Sequence, residues 1–164
     1  MSSSAWYELV PAASRTLSFA VRPGDEVHAE VTVTGHRVVV ELDNLTEHQS
    51  FRRTLYAPSV DVSSADWIVE APSGCISSTT CQALPLADFG SVTFTSAAAA
   101  PRTGRPGTIV DGRWGRTKIK LTSGTTRFVA QSASEALGTA TPSPLRGGGS
   151  AFDVQYATPT AGPA

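Results

Sequence analysis

The sequence predicts an all-β domain made of antiparallel strands, a sandwich or a barrel. Three observations lead there. Short runs rich in Val, Thr, Phe and Tyr alternate apolar with polar residues, the period of a half-buried strand. Turn signals separate them: Pro23-Gly24-Asp25, Thr34-Gly35 and Ser123-Gly124. A single stretch, 132–138, reads as helix, and it is short. About ten strands at this spacing suit either architecture.

The elements follow in chain order. "AWYELVP" (5–11) is aromatic and stops at a proline. "LSFAVRPGD" (17–25) ends in a turn. Residues 26–44 read as a hairpin about Thr34-Gly35, with Val27, Ala29, Val31 and Val33 on one face, opposite Leu42, Val40, Val38 and His36. That register sets His28 against Glu41. Strands are expected at 49–56, 66–71, 89–95, 117–122, 125–130 and 151–157. The stretches 96–107 and 139–150, the latter with Gly147-Gly148-Gly149-Ser150, read as flexible connections. The expected organisation is one domain over 1–158 and a tail over 159–164.

Bulk composition removes several functions. A net charge of -1 offers nothing to nucleic acid or to an anionic membrane. No apolar run approaches the ~18 residues of a membrane span. The first residues lack the basic-then-apolar pattern of a secretory leader. Cys75 and Cys81 flank the polar loop "ISSTT"; a disulfide and two free thiols both fit. No Cys or His pair stands nearby at zinc-ligand spacing, and no metal or cofactor is expected. Asn44-Leu45-Thr46 has the form of a glycosylation sequon, although Asn after a strand is ordinary turn chemistry.

The chemistry gathers at "ADWIVEAP" (65–72). On a strand, Asp66, Ile68 and Glu70 share one face and Trp67 and Val69 the other. Two carboxylates suggest glycoside hydrolysis, which needs them about 5–9 Å apart. Four residues of strand span about 13 Å, so this pair alone fits poorly. The Glu-x-Asp-x-Glu strand of sandwich glycosidases is also absent, because Ile68 occupies the centre. One carboxylate working with a neutral hydrogen-bond partner is the other enzymatic reading; two solvated surface acids are the plain one.

Several blocks in order, "WYELVP" (6–11), "VRPGDEVHAEVTV" (21–33), "LDNLT" (42–46), "ADWIVEAP" (65–72), "LADFGSVTF" (86–94) and "SPLRGGGSAFDVQY" (143–156), resemble the eqolisin-type glutamic endopeptidases. The resemblance spans residues 5 to about 157. It implies a concanavalin A-like antiparallel β-sandwich of jelly-roll type, a secreted acid-active peptidase, and a peptide or protein substrate. It makes Glu70 the catalytic carboxylate and sets Asp66, Trp6 and Glu8 along the substrate groove. An ordinary Glu titrates near ~4.3, so in acid it can take a proton from water and return it.

The family pairs this Glu with a Gln that stabilises the oxyanion. That Gln lies upstream of the "WYE" segment, where only Met1 to Ala5 stand. Gln49, Gln82, Gln131 and Gln155 fall outside the motif. The resemblance therefore implies a sandwich lacking its first strands, and little or no cleavage by these 164 residues alone. A different class is open on the same fold: a non-catalytic module that binds carbohydrate or peptide, for which Trp6 is a stacking candidate.

Overall fold

The computed structural model describes residues 3–77, 80–121 and 138–158. The expected strand 125–130, the helical stretch 132–137 and the tail 159–164 lie outside them. Every ladder among the described residues is antiparallel. The chain divides into two compact units, Met1–Ser64 and Ala65–Ala164.

Unit 1 is built on a three-stranded meander of β3 (Val27–Thr34), β4 (Arg37–Asn44) and β5 (Gln49–Tyr56). The central strand carries the burial, with Val38 and Val39 almost inaccessible. The hairpin turns at Gly35-His36, one residue later than expected, and Gly35 takes the positive φ that such tight turns require. Moving the turn by one residue shifts the register by two. Val31 therefore faces Val40 and Ala29 faces Leu42. The apolar face survives, because an even shift preserves side-chain direction. His28 loses its expected neighbour and sits opposite Asp43, while Glu41 pairs with Arg52 at 2.6 Å.

A short hairpin, β1 (Trp6–Tyr7) and β2 (Arg15–Thr16), packs on this sheet through Tyr7, which stacks on Phe51 at 5.5 Å. Pro23 and Gly24 form the anticipated turn, closed by the Asp25 amide on the Arg22 carbonyl at 3.1 Å. Asn44 is fully buried. Its amide donates to the Ala20 carbonyl and the Asp25 carboxylate, and its oxygen accepts from the Glu47 amide. The sequon is thus a structural clasp, with its acceptor nitrogen already occupied.

Unit 2 contains a second three-stranded sheet, β8 (Ser91–Phe94), β12 (Phe152–Ala157) and β11 (Thr139–Pro142), with β12 central. Phe152 and Val154 point into a core with Leu86 and Ala140. Phe94 stacks on Phe152 at 4.9 Å. On the opposite face Asp153 accepts from Thr93 and pairs with Arg146.

Both stretches read as flexible are ordered. The first contains the ladder β9 (Ala98–Ala99) with β10 (Gly107–Thr108). The second contains β11 and a 3-10 turn at Gly147–Gly149. There the three glycines all have positive φ, and a Cβ on Gly149 would lie 2.6 Å from Val110. The polar stretch around the cysteines is also a hairpin, β6 (Ser73–Ser77) with β7 (Thr80–Ala83), and its register sets Cys75 directly opposite Cys81. Of the expected strand 117–122, the described residues 117–121 contribute a bridge from Leu121 to Ala140. Among the described residues no helix is long and apolar enough to cross a membrane.

Candidate active site

The 66–71 segment belongs to unit 2 and, among the described residues, joins no ladder. Its burial nevertheless alternates with period two. Trp67, Val69 and Ala71 are partly buried and pack against the Leu86, Ala140, Phe152 and Val154 core. Asp66, Ile68 and Glu70 are exposed. The segment is anchored by its apolar side chains, and its other face is turned to solvent. A strand assignment needs a hydrogen-bonded neighbour as well as this alternation, and the neighbour is what the sequence pattern does not contain.

Glu70 is exposed and makes no hydrogen bond or ion pair with a described residue. Asp66 shares that face four residues away. Trp6 and Glu8 belong to unit 1, where they also share an exposed face; Trp6 is 56% accessible, while Tyr7 between them turns inward to Phe51.

Two glutamines can be placed. Gln155 is exposed on β12, on the face away from Phe152 and Val154. Glu70 likewise faces away from that core, on the 66–71 segment. Gln49 lies in unit 1 and accepts a hydrogen bond from the Ala20 amide at 3.2 Å.

Other ionisable groups in unit 2 are committed to structure. Asp111 accepts two bonds from the Arg113 guanidinium and one from its amide, which holds the carboxyl down at about 2. Arg113 also lies 5.0 Å from the Trp114 ring centroid and donates to the Arg105 carbonyl. Asp111 and Arg113 line a polar depression of about 330 Å³ with Arg105 and Pro106. A similar one of about 350 Å³ lies in unit 1 beside Asp43, His48 and Gln49. Neither includes Glu70. Among the described residues no three His, Cys, Asp or Glu side chains gather as metal ligands would.

The Peptidase A4 family matches residues 1–139, and the chain is a member of that family. The crystal structure of aspergilloglutamic peptidase from Aspergillus niger is similar, with a TM-score of 0.66 and 27% identity. The similarity covers 95% of this chain and 81% of that one. The fold is accordingly an all-β sandwich of antiparallel sheets. No curated protein sequence matches the chain significantly.

Proposed function

We propose that the protein is an acid-active endopeptidase in which Glu70 is the catalytic carboxylate. The observation that carries this reading is the placement of Glu70. It lies on the solvent face of a segment whose alternate residues are anchored in the core, and no described neighbour occupies its carboxylate. In acid, Glu70 accepts a proton from water as the water oxygen adds to the scissile carbonyl. It then returns that proton to the leaving amine as the C–N bond breaks. The net reaction is peptide plus water to carboxylic acid plus amine, and it needs no cofactor.

The oxyanion formed on addition needs a donor that works in acid. A side-chain amide suits, because it does not titrate there. Gln155 is exposed on β12, and Gln49 is engaged by the Ala20 backbone. Asp66, farther along the Glu70 face, is proposed to meet the substrate. We also propose that the protein works outside the cell, in acidic surroundings.

The test is peptide cleavage at about pH 3–5, near the ordinary Glu range. The 164-residue chain is assayed beside the product of the longest reading frame that contains it, each with and without Glu70→Gln. A loss of about 10²-fold or more on substitution is expected. Cleavage that survives Glu70→Gln removes the assignment. Saturable sugar binding without cleavage by either form moves the protein to the binding-module class.

A further inference from the structure

Ile68 occupies the middle of the exposed face, between Asp66 and Glu70, and is 44% accessible. A single exposed isoleucine carries no message by itself. Its position does. The segment has three inward places, filled by Trp67, Val69 and Ala71, and three outward ones. The only apolar outward side chain stands one alternation from Glu70, about 6.6 Å along an extended backbone.

We propose that Ile68 forms the floor of an apolar subsite and selects the substrate side chain accepted near the cut. This rests on the reading of Glu70 as the catalytic carboxylate. A peptide extended alongside the segment repeats at about the same 3.3 Å per residue, whichever way it runs. With its scissile carbonyl at Glu70, the side chain two residues from the one at the cut falls over Ile68. An aliphatic or aromatic side chain gains from that contact by losing water on both surfaces. A carboxylate there meets an apolar floor between two acidic neighbours, and is disfavoured when ionised. An apolar contact does not depend on protonation, so the selectivity holds across the acid range in which Glu70 must exchange its proton.

The experiment compares matched peptides carrying Leu or Ala at the second residue on either side of the cut. The readout is the Leu-to-Ala ratio of kcat/KM. Ile68→Ala is expected to reduce this ratio about fivefold, the scale of losing part of a half-open apolar contact. Ile68→Val should keep most of it. In parallel, reduced-amide versions of the same peptides, which cannot be cut, are titrated onto the Glu70→Gln protein with and without Ile68→Ala. The same loss of preference is expected in binding.

If Glu70→Gln abolishes cleavage but Ile68→Ala leaves both ratios unchanged, the subsite is overturned and the peptidase reading stands. If Glu70→Gln leaves cleavage intact, the peptidase reading falls, and the subsite falls with it.

Discussion

At Asn44 one side chain closes a network that no surface residue can replace. It is inaccessible, donates to the Ala20 carbonyl and the Asp25 carboxylate, and accepts from the Glu47 amide. Asn44→Ala removes three hydrogen bonds and leaves a void at a fully buried position, and is expected to cost unit 1 about 2–3 kcal/mol, measured by urea unfolding. Asn44 should also carry no glycan when the protein is made in a eukaryotic host, checked by peptide mass mapping. A modified Asn44 would mean that glycosylation precedes folding. Trp67 is the matching residue in unit 2. It packs on the Phe152 and Val154 core while its neighbours Asp66 and Ile68 face out. Its removal should loosen the face that displays Glu70, so Trp67→Ala is expected to lower stability and activity together.

At the scale of elements, glycine-rich composition concealed two kinds of behaviour. Gly147–Gly149 looks like a linker in the sequence, yet it forms a docked turn: Ile109 donates to the Gly149 carbonyl and Thr108 to that of Gly148. Gly149 has φ +88 and abuts Val110, whereas Gly148 has φ +64 and open space. Gly149→Ala is expected to cost about 3 kcal/mol and Gly148→Ala about 1–2 kcal/mol, read from thermal or urea melts. Equal costs would mean that the Val110 contact does not matter. Composition cannot separate a glycine that is free from one that is forced, because the neighbour that forces it lies 39 residues away in the chain.

The β5 boundaries, Gln49–Tyr56, coincide with the expected 49–56 because turn residues bracket a run with clear alternation. The β3–β4 register slipped because two adjacent dipeptides both place Gly35 in the turn, and the pattern of faces is the same for either choice. β6 and β7 were hidden since "SGCIS" and "TCQA" offer little apolar alternation. Their register now supports a proposal left open by the sequence. Directly opposed antiparallel residues have Cα atoms about 4.5–5.5 Å apart, within disulfide range. We expect Cys75 and Cys81 to be bridged in protein made under oxidising conditions, with thiol reactivity appearing only after reduction. The outward display of Asp66, Ile68 and Glu70 was legible for a simple reason: period two survives even where no ladder forms. Whether an amide faces Glu70 was not, because that depends on a contact between distant segments rather than on any local pattern.

For the whole molecule the decisive quantity is how far into acid the fold persists. Its carboxylates are not merely dispersed on the surface. The Arg22 amide and the Asn44 side chain hold Asp25 below the usual range, and Arg146 with Thr93 does the same for Asp153. Ser63 lowers Asp61, and Arg113 takes Asp111 to about 2. A carboxyl whose folded value is depressed stabilises the fold above its unfolded value near ~3.9, and that contribution is lost as pH falls through the folded value. The loss at Asp111 therefore comes between about pH 4 and about 2, overlapping only the acid end of the pH range proposed for cleavage. The fold is expected to stay cooperative at about pH 4 and to fail only as these bonds protonate. Asp111→Asn and Asp153→Asn should each move the acid-unfolding midpoint to higher pH. Because the ion pairs are solvent-accessible, added salt should shrink the effect. The measurement is circular dichroism against pH, in low and high salt. A wild-type midpoint at or above pH 4 would separate the fold from the proposed acid catalysis altogether, since the scaffold would then be lost within the pH range set for cleavage.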